Sequence, residues 1–234
     1  MSVDTAVSPE AHLGPFGIAD MAAEAEALAQ KDGCKVLYGF PNDNFYEYNV
    51  AILQREDLGF LDFYVVLQAP GQLKKYLKWL DFSRYFLQFW LFLFKTFSSG
   101  RVQTYPVEKE DNEEFRTWRY DSNYQRVRFA GGEAVYTLYR EKFGMVAYIV
   151  DITPLSAKNF YSAFYHISRE VKSRAAIIAY PGNKLAFGNL FRVPHRFLPR
   201  KLHLVAAGMA SGDLPESCRK IANWKINLSD FDVR

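Results

Sequence analysis

Cysteine is scarce: the 234 residues carry only Cys34 and Cys218. Two cysteines build no disulfide framework, and no Cys/His spacing of a metal site accompanies them. Cys34 precedes an apolar run and reads as an inert core thiol. A strong charge of one sign is also lacking. Net charge is +3 and no long basic run occurs, which argues against a nucleic-acid-binding class. Met1-Ser2-Val3-Asp4 is not a basic stretch leading into an apolar one, so a secretory leader is not expected and a cytoplasmic setting is. Arg84, Gln88 and Lys95 interrupt the most apolar segment, so no membrane span of about 20 apolar residues is expected. Neither a Ser-His-Asp order nor a nucleophile elbow occurs.

Hydrophobic residues make up 49% and charged residues 24%, the balance of a globular chain with one large or two small domains. Residues 16–30 carry Ile18, Ala22, Ala25 and Ala29 at helical spacing, and Lys31-Asp32-Gly33 stops that helix with glycine suited to a left-handed position. Val36-Leu37-Tyr38 reads as a strand covered on both faces. A turn that opens a helix bares backbone N–H groups at the positive end of the dipole and suits an anion. The turn ahead of residue 16 is therefore the place where backbone geometry alone points to a ligand.

A short helix is expected over 45–54 and one strand over 58–67, rich in aromatic and β-branched residues. Ala69-Pro70-Gly71 breaks the chain. Residues 72–97 then read as one aromatic helix, buried or at an interface, with self-association through it the expected use. Residues 107–114 are acidic and read as a loop or helix start. Strands at 134–140 and 145–152 flank Glu141-Lys142-Phe143-Gly144, a hairpin. Ser156 is a fair N-cap for a helix lined by Phe160, Phe164, Ile167 and Val171. Strands are expected at 175–180 and 202–207, a short helix at 184–191, and an edge strand in the tail over 224–230. Helix, strand reaching a Tyr, a turn with Pro41-Asn42 or Pro181-Gly182-Asn183, short helix and strand occur twice, a weak internal repeat.

Gly39-Phe40-Pro41-Asn42-Asp43-Asn44, Trp118-Arg119-Tyr120, Tyr148-Ile149-Val150-Asp151-Ile152, and Trp224 with Asp230-Phe231-Asp232-Val233 together resemble the GCN5-related N-acetyltransferase (GNAT) superfamily. The likeness is to bacterial members found with polysaccharide and cell-envelope genes. It implies an α/β (α+β) fold: a GNAT-like mixed sheet flanked by helices, in two halves with the first incomplete. On that reading residues 1–70 form the incomplete half, 71–114 an aromatic insertion and linker, and 115–234 the second half. The resemblance implies an acetyl-CoA or other acyl-CoA cofactor, a small-molecule amine acceptor such as an amino sugar or amino acid, and N-acyl transfer. A catalytically inactive GNAT-fold binding protein is the alternative.

By the same resemblance the cofactor would meet His12, Leu13, Gly14, Phe16, Gly17 and Ile18, with Asn42 and Asn44 on its pantetheine arm. Only Gly17 clearly matches the family's glycine pattern, and Pro15 has no N–H to donate. Tyr46 or Tyr48 would protonate the leaving thiolate, although both also suit partly buried aromatics with a polar tip. Asn42 and Asn44 suit helix capping equally well. Asp43 and Glu47 are weaker base candidates. Trp118, Arg119 and Tyr120 would line the acceptor cleft or form a structural stack. His166 reads as a boundary residue. Arg192, His195, Arg196, Arg200 and Lys201 read as a solvated basic loop.

Overall fold

Strand pairing, rather than chain order, decides which elements belong together. The protein is described from a computed structural model covering residues 15–198, 201–209 and 213–230. The first elements are α1 (Pro15–Lys31), β1 (Val36–Gly39), α2 (Asp43–Ala51), β2 (Glu56–Phe60), β3 (Asp62–Leu67) and α3 (Pro70–Leu73). Then come α4 (Ser83–Phe97), β4 (Val107–Glu108), α5 (Glu113–Arg119), β5 (Tyr124–Phe129), β6 (Gly132–Glu141) and β7 (Gly144–Thr153). The last are α6 (Ala157–Val171), β8 (Ile177–Gly182), β9 (His203–Gly208) and β10 (Trp224–Lys225), with 3-10 turns between several of them. Among the described residues, one compact unit draws on 15–61, 201–209 and 213–224, and another on 62–198 and 225–230. Residues 4–7, which the resemblance makes the last part of a strand ahead of the first helix, lie outside the described residues.

The first unit holds the three-stranded order β1-β9-β2, antiparallel throughout. Its middle strand buries Leu204, Val205 and Ala206. β2 slips register between Asp57 and Gly59, leaving Leu58 as the extra residue of a bulge. Gly59 takes φ +114, a conformation that favours glycine, and its N–H donates to Asp57 Oδ1 at 2.9 Å. α1 ends as expected. Gly33 has φ +83, and Cys34 N–H reaches back to Ala29 O at 3.0 Å. Arg55 links this helix to its neighbours, reaching Glu26 at 3.2 Å and the buried Asn49 at 2.8 Å.

The second unit holds a five-stranded mixed sheet, β3-β8-β7-β6-β5, in which only β7 and β8 run parallel. α6 is the crossover between those two strands, the arrangement that parallel neighbours require. It lies against the sheet and packs α4 on its other side. Ser156 caps it, accepting the Asn159 N–H at 3.1 Å. Phe160, Phe164, Ile167 and Val171 on α6 meet Tyr64, Tyr136, Ile149 and Ile178 from the strands, with Leu91 from α4, to form the core. Each such side chain is worth roughly 1.5–3 kcal/mol when removed from water. Gln68, fully buried, caps the other end of α6. Its Nε2 donates to the carbonyls of Ser168 and Lys172, both at 2.9 Å.

The structure corrects several expectations. The strand over 58–67 is two strands in different sheets, divided at the buried Leu61, whose N–H goes to Leu202 O at 3.0 Å. The helix over 72–97 breaks at Lys74, which is extended, so α3, a 3-10 turn over Lys75–Phe82 and α4 follow one another. β5 was unforeseen, and 107–114 contains the short β4 besides the expected helix start, which is that of α5. The tail is strand only at β10 and continues as a 3-10 turn, Leu228–Asp230. β1 is at the end of its sheet with Tyr38 exposed, not covered on both faces, and Cys34 is exposed rather than a core thiol. Two members of the basic cluster are ion-paired rather than solvated: Arg192 Nε lies 2.9 Å and His195 Nε2 2.7 Å from the buried Asp62, while Arg200 lies outside the described residues.

Tyr64 ties β3 into the second unit. Its buried hydroxyl donates to Asn183 O at 2.9 Å and accepts the Leu185 N–H. Tyr64→Phe strands both partners, and a buried unsatisfied group costs about 1–3 kcal/mol. Urea unfolding is expected to show a loss of that size with an unchanged denaturant slope. A variant as stable as the parent contradicts the assignment.

Candidate functional site

Parallel strands joined by a helix usually leave a ligand crevice beyond their carboxyl ends. In the second unit β7 and β8 pair over only Val146–Tyr148 and Ile177–Ala179. Just beyond, β7 carries a bulge: Val135 faces Asp151 while Tyr136 faces Ile149, so Val150 is the extra residue. The chain's own tail occupies the gap. Asn227 bridges to Gly182, the Ile226 N–H donates to Asn183 Oδ1 at 2.7 Å, and Asn227 Nδ2 donates to Asp151 Oδ1 at 2.8 Å.

The polar groups there satisfy one another. Asp151 is buried and receives Lys109 Nζ at 2.9 Å and Tyr120 OH at 3.1 Å, while Lys109 also meets Ser229 Oγ. Burial is the main reason the Tyr120 hydroxyl is raised well above its ordinary value, with the Asp151 charge adding to it. Burial also pushes the Asp230 carboxyl up from 3.8 to about 6, despite the Lys109 charge and a hydrogen bond from Asn227 N–H at 2.9 Å. At the start of α6 the Asn159 amide goes to Ser156 Oγ and the Lys158 amide to Ser99 O at 3.0 Å. A diphosphate therefore does not fit this helix start, because its amides already have partners.

A different constellation lies in the first unit. α2 begins at the Asn42 cap, whose Oδ1 accepts the Phe45 N–H at 2.9 Å, and carries Tyr46 on its first turn. Tyr46 OH donates to Asp57 Oδ2 at 2.6 Å, and His203 Nδ1 lies 3.2 Å from the same oxygen. The Tyr46 and His203 rings are 4.3 Å apart. The hydrogen bond to Asp57 is the main reason the Tyr46 hydroxyl is pushed up to about 12, so it keeps its proton at neutral pH. A phenol, a carboxylate and an imidazole, partly open to solvent, can hold and exchange protons.

The other sequence-predicted residues scatter. His12, Leu13 and Gly14 lie outside the described residues. Phe16, Gly17 and Ile18 are in the first turn of α1. Asn44 is exposed on α2, and Tyr48 packs its ring 5.0 Å from Phe45. Asp43 and Glu47 are exposed on that helix. Trp118 is 67% exposed and lines a groove of 380 Å³ with Glu110, Asn112, Glu114 and Phe115. Arg119 instead holds the tail, donating to Ser229 O at 3.0 Å and Leu228 O at 3.3 Å, and Tyr120 is buried on Asp151. His166 is half-buried, stacked 5.6 Å from Phe129, and burial lowers its pKa. Asp57 and His203 were not foreseen. The one available signal was a histidine opening an otherwise apolar strand.

The chain shares the mixed α/β fold of solved GCN5-related N-acetyltransferases. A structure from Kribbella flavida matches with a TM-score of 0.51 and 10% identity, over 88% of this chain and 51% of that one. One from Anabaena variabilis matches with a TM-score of 0.48 and 11% identity, over 86% of this chain and 52% of that one. The chain thus spans about half the length of these solved chains. No protein-family model matches the sequence, and no curated protein matches it.

Asp230 carries a sign that can be checked. Its folded-state pKa is raised, so the native state binds the proton more tightly. The stabilisation is complete below about pH 4 and is lost as pH rises through about 6. Asp230→Asn is expected to melt with the parent near pH 4 and to be more stable at pH 7.5 by roughly 2–3 kcal/mol. An equal effect at both pH values contradicts a buried, titrating Asp230.

Proposed function

We propose that this protein is an acyl-CoA-dependent N-acyltransferase whose proton-handling groups are Tyr46, Asp57 and His203 in the first unit. The observation that carries the reading is the shared contact of a phenol and an imidazole with one carboxylate, just after the Asn42 turn. The likeness of fold to GCN5-related N-acetyltransferases supports it. A CoA thioester would supply an activated carbonyl, with the start of α1 and the Asn42-Asp43-Asn44 turn the residues assigned to hold it. Asp57 orients the imidazole, and His203 takes a proton from the amine of a small acceptor, of the amino-sugar or amino-acid class. Tyr46, still protonated at neutral pH, holds the proton available to a leaving thiolate. Tyr48 is left to packing. In the second unit Arg119 and Tyr120 hold the tail.

A second reading has its own observation. The crevice beyond β7 and β8 is filled by residues 226–230, which favours a GNAT-fold protein that has given up catalysis and keeps the fold for binding. The two readings part on cofactor. A ligand that binds only the folded state raises its melting temperature. Millimolar acetyl-CoA is expected to raise the melting temperature of the parent. Tyr46→Phe and His203→Ala are each expected to keep that shift and to lower kcat by about 100-fold or more against a responsive amine. Absence of any shift with acetyl-, succinyl- or longer acyl-CoA sinks the transferase reading.

A further inference from the structure

A surface helix normally turns a polar stripe to solvent. α4 does not. Its inner side carries Leu87, Leu91 and Phe94, which pack into the core, and Gln88, which bonds Ser168. Its outer side carries Tyr85, Phe86, Phe89 and Phe92, with Phe82 just ahead of it, at the three- and four-residue spacing of a helix face. Phe86 is 63% and Phe89 55% exposed. The 3-10 turn before it adds Tyr76 and Trp79, the latter 68% exposed. Aromatic rings therefore stand where a soluble surface would place charge.

The charges at this surface have one sign. Lys74, Lys75 and Lys78 are exposed beside Tyr76 and Trp79, and Arg84 lies over the Tyr85 ring at 4.7 Å. Between residues 72 and 97 the only acid is Asp81, and it accepts the Gly71 N–H at 2.7 Å. α4 has 15 residues, about 22 Å at 1.5 Å each, against a hydrocarbon core of about 30 Å. No described helix is long and apolar enough to cross a membrane. Lying along a bilayer suits it better, with rings at headgroup depth and lysines toward anionic lipid. A second copy suits the face less well. A two-fold contact would set the face against itself, and between residues 72 and 97 the face offers its lysines no acid but Asp81, which already accepts the Gly71 N–H.

We propose that the face formed by Lys74–Phe92 docks this protein on an anionic lipid surface, peripherally and without spanning. The test is flotation of the 234-residue chain with phosphatidylcholine vesicles and with vesicles that also contain phosphatidylserine. Tryptophan emission, read in a chain whose Trp118 and Trp224 are replaced by Phe so that Trp79 and Trp90 remain, reports insertion. The chain is expected to float with the anionic vesicles, with a blue shift, and to be released by salt. Replacing all three lysines, K74E with K75E and K78E, is expected to weaken partition about 100-fold. F86S with F89S is expected to abolish it with an unchanged circular dichroism spectrum. Should the phenylalanine variant misfold, the lysine variant and the salt titration decide the matter alone. No partition, partition indifferent to phosphatidylserine and salt, or a vesicle-free dimer that F86S dissolves would each overturn the proposal, the last by assigning the face to a second copy. Acyltransferase activity is not needed for any of these outcomes.

Discussion

The second unit depends on how the tail enters the gap between β7 and β8. Two parallel strands that stop pairing after three residues leave a wedge of unpaired backbone and buried polar side chains. Unfilled, it would cost about 1–3 kcal/mol for each unsatisfied group. Asn227 and Asn183 meet most of that demand. Each uses a side-chain amide oxygen or nitrogen to substitute for a missing strand, one on Asp151 and the other on the Ile226 amide. The bulge at Val150 accompanies the end of the ladder, and Lys109 supplies the counter-charge that lets Asp151 stay buried. Arg119 then fastens the tail from outside through two carbonyls. The wedge is thus a satisfied polar network rather than a cavity awaiting a ligand.

This division explains why one sequence pattern, met twice, does not mean two sites. In the second unit the helix start is closed by Ser156 Oγ and Ser99 O, and the strand gap by residues 226–230. In the first unit α1 and β1 follow the same helix-then-strand order. There a partly open carboxylate meets a tyrosine and a histidine. Buried and fully paired groups add rigidity, while exposed and shareable protons add chemistry. The first unit holds the partly open, proton-sharing groups, and the second has the larger core.

Local signals were read well where the physics is local. Ser156 capped its helix, Gly33 took its left-handed turn, and the hairpin formed around Lys142-Phe143. Leu61 marks where local reading fails. Residues 58–67 are a largely apolar run interrupted by Asp62, and nothing in periodicity says that its first half pairs with β9 and its second with β8. The same long-range pairing hid the candidate site. Tyr46 was visible as a residue, but its carboxylate comes from β2 and its imidazole from β9, 146 positions beyond Asp57. Arg192 and His195 looked solvated because Asp62, their partner, lies 133 positions before His195. An apolar run does not by itself mean burial, as Cys34 and Tyr38 show. β1 is at the end of its sheet and leaves them exposed.

The aromatic helix shows the converse, a feature legible in sequence but not in meaning. A helix apolar all round has two physical solutions, burial or an apolar environment outside the protein. Among the described residues the outer face stays largely exposed, since α6 packs chiefly on the side bearing Leu87, Gln88, Leu91 and Phe94. The environment left must accept rings in bulk and tolerate lysines along one edge. Water accepts the lysines and rejects the rings. A protein partner accepts the rings but needs acidic residues matched to each lysine. An anionic bilayer accepts both without a fixed register, because lipid headgroups rearrange around whatever charge spacing they meet. A surface whose cations lie on an irregular 3-10 turn, rather than on a regular helix stripe, suits a fluid counterpart better than a rigid one.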